Sequence, residues 1–565
     1  MWQAPGAQLA RIVGAAPCHA GASPRRPAPR VAGRIGPRGT GPETASARRL
    51  AAYDLPMSRT LPRPAAEPPC PQDDARYLAL AARDARFDGR FFTGVTSTGI
   101  YCRPVCGVRT PRRENCRFYD LAAQAEAAGF RPCLRCRPEL APRQLVWSTQ
   151  DAPAILVREA LRLLDAGSLS EPAEGGGLRA LAARLGVSDR HLRRVFEAAL
   201  GVSPLQYVQT RRLLAAKQLL TDTDLPVTQV ALASGFGSVR RFNAAFQGHY
   251  GLNPTQLRQR GAAPPAGRGL RLAYRPPLDV PALLGFFAQR RIPGVEDVCL
   301  GDSLQALRRT VRWSAAGGTA LAGWIDVRFD PARPQASLQV SESLYPVLPL
   351  VMARVRGMLD LDADPEAVDA VLGADFPGAA GLRVPGAFDG FELAVRAVLG
   401  QQITVAAART LAQRLAERFG EPIATPWTAL SRLFPAPATL AAAEGDALGA
   451  LGIVRQRQAA IVALARAVDS GQLALHPGAD VAATTAALCA LPGIGDWTAQ
   501  YIAMRALRWP DAFPAGDVAV QAALGLRGTP RPAQAAAAAA ERWRPWRAYA
   551  AVRAWHAGAR PASGE

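Results

Sequence analysis

The sequence predicts a multidomain, mainly helical protein that carries two small mixed pieces. Three observations support this: long stretches with apolar residues at helical period, two shorter stretches that alternate apolar and polar residues, and Pro/Gly-rich joints between them. At 565 residues and 49% hydrophobic composition the chain can bury several cores. A formal net charge of +21 implies an anionic partner, nucleic acid ahead of a membrane surface. No apolar run approaches the ~20 residues of a membrane span, which argues against insertion. Five of the nine cysteines, Cys18, Cys70, Cys116, Cys299 and Cys489, are scattered, as in a reducing compartment, so the chain is expected to be intracellular. The basic residues are almost all arginine, and Lys217 is the sole lysine.

In chain order, residues 1–70 are rich in Pro, Arg, Ala and Gly and show no sustained period. They are expected to be disordered, with Met57 a plausible alternative start. A first domain is expected over 71–148. "DDARYLALAARDARFDGRFFTGVTSTGIYCRP" reads as a short helix followed by strands at "FFTGV" and "TGIYC", and "LAAQAEAAGF" reads as a helix ended by Gly129. A second, wholly helical unit is expected over 150–261, closed by the joint "GAAPPAGRG". Beyond it, "LRLAYRPPLDVPALLGFFAQRRI" and the alternating "TALAGWIDVRFD" and "ASLQVS" predict an antiparallel α+β piece over 268–345. The pattern from there to 560 is helical.

The first chemical signal is a pair of cysteine pairs: Cys102 and Cys106 spaced C-x3-C, Cys133 and Cys136 spaced C-x2-C, with 26 residues between the pairs. Each short loop lets two sulfurs converge on one tetrahedral Zn2+ at about 2.3 Å, so zinc is the expected cofactor. By this spacing alone the metal is structural. The surrounding "FDGRFFTGVTSTGIYCRPVC...RENCRFYDLAAQAEAAGFRPCLRCRPE" resembles the N-terminal zinc domain of the Ada adaptive-response regulators over some sixty residues. That resemblance implies that Cys102 accepts a methyl group irreversibly from an alkylated DNA phosphate, while Cys106, Cys133 and Cys136 complete the metal site. Cys116 falls off the spacing and is expected to be an ordinary thiol. A zinc centre of four thiolates carries a charge of about −2, so Arg103, Arg109, Arg112, Arg113, Arg131, Arg135 and Arg137 are expected to offset its repulsion from DNA. Methylation of one thiolate would then tighten DNA binding.

The helical unit repeats one pattern. "LRALAARLGVSDRHLRRVFEAALGVSPLQY" and "VTQVALASGFGSVRRFNAAFQGHYGLNPTQL" each give a short helix, a turn at Gly186 or Gly235, and a second helix with one basic and one apolar face. This is helix-turn-helix organisation, in which the second helix enters a major groove. Candidate DNA contacts are Ser188, Arg190, His191 and Arg194 in the first half, and Ser238, Arg240, Arg241 and Asn243 in the second. Both halves, with their "GVSP" and "GLNP" tails, resemble the AraC-type DNA-binding domain.

In the back half, "ALCALPGIGDWTAQYIAMRAL" reads as helix, tight turn and helix, with Gly493 and Gly495 letting backbone N–H groups approach a phosphate. This helix-hairpin-helix is followed by "FPAGDVAV", which carries Asp517. Together with "PGAFDGFELAVRAVLGQQITVAAA", "LGIVRQRQAAI" and "RWRPWRAYAAVRAWH", these motifs resemble the AlkA branch of 3-methyladenine DNA glycosylases, from about Leu270 to the C-terminus. The resemblance implies a flipped-out base held by Trp497, Tyr501 and Trp555, with Asp517 stabilising the oxocarbenium-like sugar or orienting water. Taken singly, the three aromatics also fit core positions, and Asp517 fits a helix N-cap. Lysine is absent from this half, so Schiff-base strand cleavage is not expected and the enzyme should be monofunctional. Some relatives drive an apolar wedge into the duplex from the "LGQ" loop, where this chain has Gln401 and Gln402.

The expected protein is therefore an Ada–AlkA fusion acting on double-stranded DNA, both alkylated DNA and promoter sites. It would be monomeric and cytoplasmic beside the nucleoid, with RNA polymerase a further partner and membrane none. The alternative is a regulator whose glycosylase half only binds DNA. No C-terminal methyltransferase domain is legible, so repair of O6-alkylguanine is not expected.

Overall fold

The computed structural model describes residues 71–142, 152–165, 177–260, 269–301, 304–313, 320–443 and 445–559. The expectation of disorder over 1–70 lies outside these residues. The helix Pro71–Ala82 leads into a four-stranded sheet built from β1 (Phe92–Val95), β2 (Ile100–Cys102), β3 (Cys116–Tyr119) and β4 (Arg131–Pro132), in the order β3-β1-β2-β4. The expected strands at "FFTGV" and "TGIYC" are β1 and β2. β3 and β4 were not foreseen, because each is short and lacks a clear alternation. β2 ends on Cys102 and pairs in parallel with β4, Tyr101 opposite Pro132, so the two cysteine pairs are brought together by this ladder.

The helical unit has two matching halves. The first reading helix, Asp189–Leu200, is capped by Ser188, whose Oγ accepts from the His191 N–H. The second, Val239–Tyr250, is capped by Ser238, which accepts from the Arg241 N–H. Gly186 and Gly235 in the turns have φ of +68° and +83°, which only glycine adopts without strain. Phe196 and Phe242, on the inward faces, are fully buried. The long helix Pro204–Asp222 joins the halves.

Five antiparallel strands follow: β5 (Leu270–Ala273), β6 (Glu296–Gly301), β7 (Leu304–Trp313), β8 (Leu321–Phe329) and β9 (Gln335–Val340), in the order β5-β9-β8-β7-β6. The helix Val280–Arg290 lies between the first two strands. The core of the second reading half continues into this sheet without a break, from Phe242 and Phe246 through Leu272 and Leu284 to Val327 and Val355. From Leu348 onward the described residues form helices around two further cores.

Candidate functional site

The C-x2-C loop follows β4 and faces the end of β2, and the Sγ atoms of Cys102, Cys106, Cys133 and Cys136 lie within 4.8 Å of one another. Four thiolates on one Zn2+ would sit roughly 3.8 Å apart, so the donor set fits zinc. Hydrogen bonds from Cys102, Cys106 and Cys136 hold the Cys133 thiol well below its usual value. The same sharing, through Cys106 first, pushes Cys102 up, and Cys106 is brought down to about 7, through Cys102 first. A divalent cation in place of the shared protons lets all four ionise. Two backbone amides also address the sulfurs: Arg103 N donates to Cys136 Sγ at 3.3 Å and Cys136 N to Cys133 Sγ at 3.5 Å. Cys116 is buried in β3, outside the cluster.

The expectation for the seven arginines needs correction. Arg103 is buried and holds both carboxylate oxygens of Asp88, and Arg137 is buried between Asp222 and Glu139. Arg113 pairs with Asp74 at 3.0 Å and covers the Phe118 ring. Arg103 and Arg113 brace the domain internally and Arg137 ties it to the helix Pro204–Asp222, whereas Arg109, Arg112, Arg131 and Arg135 are exposed and available to a polyanion.

On the reading helices Arg190, Arg194, Arg240, Arg241 and Asn243 are exposed and His191 is half-buried, with Arg194 reaching its Nδ1 at 3.1 Å. Ser188 and Ser238 accept backbone N–H groups as helix caps, which leaves each hydroxyl its own O–H to donate.

In the back half the helix Val481–Cys489 and the helix Asp496–Arg505 flank the hairpin. Gly493 has φ +75°, whereas Gly495 has φ −97° and a Cβ there would meet nothing within 4 Å. The Asp496–Arg505 helix carries Trp497 and Tyr501 one turn apart, their rings stacked at 5.4 Å and 17°. Trp555 comes from the final helix, Arg547–Ala559, and its ring lies 6.1 Å from Tyr501. Asp517 caps the helix Val518–Ala523, as its N-cap expectation has it, and its carboxylate also lies against two of the three aromatics. Its Oδ1 accepts from Ala519 N, Val520 N and Trp555 Nε1 at 3.0, 3.0 and 3.1 Å, while its Oδ2 accepts, among the described residues, from Trp497 Nε1 alone at 3.0 Å. Oδ2 therefore keeps acceptor capacity that Oδ1 has spent.

Three further residues pack around these aromatics and escaped the sequence reading. Phe286, on the helix Val280–Arg290, stacks with Trp555 at 6.3 Å and 23°. The Arg290 guanidinium lies 3.8 Å from the centre of the Phe286 ring, and that of Arg505 lies 4.8 Å away. Arg505 donates to the Tyr501 hydroxyl at 2.5 Å. Burial pushes the Tyr501 phenol up, but Arg505 and then Arg290 outweigh it and hold the phenol below its usual value. For Phe286 and Arg290 the only hint was the "FFAQRR" run, with nothing to link it to residues some 200 positions away, whereas Arg505 lies one turn beyond Tyr501 within the quoted hairpin motif.

The two glutamines divide their roles. Gln401 turns inward, its Nε2 donating to Gly493 O at 2.9 Å and Thr498 Oγ1 at 3.0 Å, and so ties its loop to the hairpin. Gln402 is exposed at φ +54°. Lys217 is buried beneath the cysteine loop, so its amine belongs to that region and not to the aromatic pocket.

Four family models match the chain in this order: the metal binding domain of Ada over 75–139, a helix-turn-helix domain over 181–260, the AlkA N-terminal domain over 269–389, and the HhH-GPD superfamily base excision DNA repair proteins over 395–548. The chain is 38% identical over 492 residues to a probable bifunctional transcriptional activator/DNA repair enzyme AlkA of Mycobacterium tuberculosis, covering 85% of this chain and 95% of that one. It is 36% identical over 286 residues to DNA-3-methyladenine glycosylase 2 of Escherichia coli, covering 50% of this chain and 96% of the relative. It is 35% identical over 192 residues to the Escherichia coli bifunctional transcriptional activator/DNA repair enzyme Ada, covering 34% of this chain and 51% of the relative. No helix among the described residues is long and apolar enough to cross a membrane.

Proposed function

The chain belongs to the family of bifunctional transcriptional activator/DNA repair enzymes of the AlkA type, and from that premise we propose that it repairs alkylated DNA in two ways and reports the damage. The back half is a monofunctional DNA glycosylase that excises alkylated purines, 3-methyladenine among them. The front half takes a methyl group from alkylated phosphate and directs transcription of repair genes.

For base excision, Gly493 and Gly495 present backbone N–H groups to a phosphate at the start of the Asp496–Arg505 helix, where the helix dipole favours negative charge. The damaged nucleotide turns out of the stack into the space bounded by Trp497, Tyr501, Trp555 and Phe286. A methylated purine is cationic and electron-poor, and aromatic faces hold such a ring with about 0.5 to 2 kcal/mol per contact. Its own charge makes it a good leaving group, so no strong acid is needed. As the glycosidic bond lengthens, positive charge grows on the sugar, and the open lone pair of Asp517 Oδ2 faces it or orients the attacking water.

For methyl transfer, zinc when bound keeps the Cys102 sulfur a thiolate at neutral pH. Cys102 Sγ attacks the methyl carbon of a phosphotriester, the S–C bond forms as the C–O bond breaks, and the phosphate leaves as a diester with its negative charge. The cysteine set loses one negative charge, which strengthens attraction to DNA through exposed Arg109, Arg112, Arg131 and Arg135. Arg190, His191 and Arg194 then read one major groove and Arg240, Arg241 and Asn243 the next, at promoter sites where RNA polymerase is recruited. We place the protein, as a monomer, in the bacterial cytoplasm beside the chromosome.

The observation that carries this reading is the convergence on Asp517 of two pocket indoles and two backbone amides from three separate helices. Incubation with methylated duplex DNA tests it: mass spectrometry should find one added methyl on Cys102, and the DNA should gain abasic sites. Neither modification appearing in the full-length protein would refute the proposal.

A further inference from the structure

The C-x2-C loop that supplies two of the four sulfurs is pinned from outside at both ends. The Cys133 carbonyl accepts from Lys217 Nζ at 3.0 Å, and the Cys136 carbonyl accepts from Arg103 Nη1 at 3.0 Å. Each of these cations is itself locked. Lys217 is 1% exposed, lies on the long helix Pro204–Asp222, and holds Glu139 Oε2 at 2.6 Å. Its ammonium bridges the Cys133 carbonyl and the Glu139 carboxylate, and it is the chain's sole lysine. Arg103 is held by Asp88, and the Asp88 carbonyl accepts from Nε of Arg275 at 2.9 Å. Arg275, also 1% exposed, spends its other donors on the carbonyls of Asp362, Ala363 and Pro142 at 2.8, 3.2 and 3.3 Å.

Lys217 lies within the helix-turn-helix match and Arg275 within the AlkA N-terminal match, so neither belongs to the metal-binding segment they reach. We propose that Lys217 and Arg275 are positioning residues of the methyl-acceptor centre, by which the transcription half and the glycosylase half jointly hold the Cys133–Cys136 loop in metal-ready form. This rests on the reading of the four cysteines as that centre. The physical basis is that of groups behind metal ligands generally: they fix where the ligands point, and their loss typically costs 10- to 100-fold in metal affinity. Loss of the Lys217 ammonium would also leave the Glu139 carboxylate short of a cation, and loss of Arg275 would free the Asp88 peptide and loosen Arg103 behind it.

The test uses the full-length protein loaded with Co2+, whose thiolate charge-transfer and d–d bands report ligand geometry, together with the rate of Zn2+ loss to a chromogenic chelator. Lys217→Met and Arg275→Met, with wild-type helical content, should each release zinc about 10-fold faster and show weakened d–d bands. Arg275→Lys keeps the buried charge and gives up the fork, and should fall between them and wild type. If a methionine variant loses helical content, Lys217→Arg or Arg275→Lys, each keeping the buried charge with altered geometry, decides for that residue. Wild-type release and spectra in the folded variants would overturn the proposal. A wild-type protein that shows no cobalt–thiolate bands at all would instead overturn the reading of the cysteines, and the brace with it.

Discussion

Trp555 donates its indole N–H to Oδ1 of Asp517 at 3.1 Å, so one of the three clustered aromatics and the carboxylate form one unit. Trp555→Phe keeps a ring in the cluster and removes that donor. A hydrogen bond to a charged group is worth about 1.5 to 3 kcal/mol, so base release should fall by about one to two orders of magnitude. Single-turnover kinetics on methylated DNA measure this, and the melting temperature should move little because the indole is not fully buried.

Tyr501 should ionise ahead of Tyr101, Tyr250, Tyr274, Tyr345 and Tyr549, whose phenols burial pushes up. Its phenol is held below the usual value of 10.0 in the folded chain, so its contribution to stability is complete above 10.0 and lost as pH falls through the folded value. The tyrosinate absorbance should show one early-titrating group, and Arg505→Met should move it upward.

Glu296 and Glu392 face Arg309 and Arg396 in a buried network that joins β6 and β7 to the helix Gly390–Leu399. Arg309→Met leaves two buried carboxylates sharing the single cation of Arg396 and should cost about 3 kcal/mol in denaturant melts. Burial pushes Glu296 up, but Arg396 and Arg309 hold it below 4.5, so its stabilising contribution is complete above 4.5 and lost as pH falls through the lower folded value.

The two hairpin glycines should separate stability from binding. Gly493→Ala forces a side chain to φ +75° with its Cβ 3.3 Å from Ala460 Cβ, which should cost about 1 to 2 kcal/mol of stability. Gly495→Ala enters open space at an ordinary φ, so melting should hold while sequence-independent DNA affinity drops. Fluorescence anisotropy with an undamaged duplex distinguishes the two.

The parts of this molecule legible in the sequence are those written in local spacing. The cysteine pairs, the turn glycines Gly186 and Gly235, and the hairpin around Gly493 each need only a few adjacent residues, and their geometry follows from backbone rules. Trp497, Tyr501 and Asp517 were singled out through the resemblance that the hairpin and its neighbouring motifs carry. Phe286, Arg290 and Arg505 were not, since the stacking of Phe286 on Trp555 depends on how a helix beside the five-stranded sheet packs against the final helix. The arginines around the cysteines misled for the opposite reason. A run of like charges looks solvated, yet Arg103 and Arg137 are buried because Asp88, Glu139 and Asp222 meet them from distant segments. β6 and β7 escaped notice because charged residues interrupt their alternation, and Arg308 and Arg309 find their carboxylates only in the folded sheet.

Release of free 3-methyladenine from methylated duplex DNA, by the full-length protein and by its Asp517→Asn variant side by side, bears most directly on the assignment. The wild type should liberate the base and leave an unbroken abasic strand. The variant keeps both indoles and both helices but lacks the carboxylate charge, and it should be slower by at least about 100-fold. Equal release by the two proteins, or no release by the wild type, would contradict it.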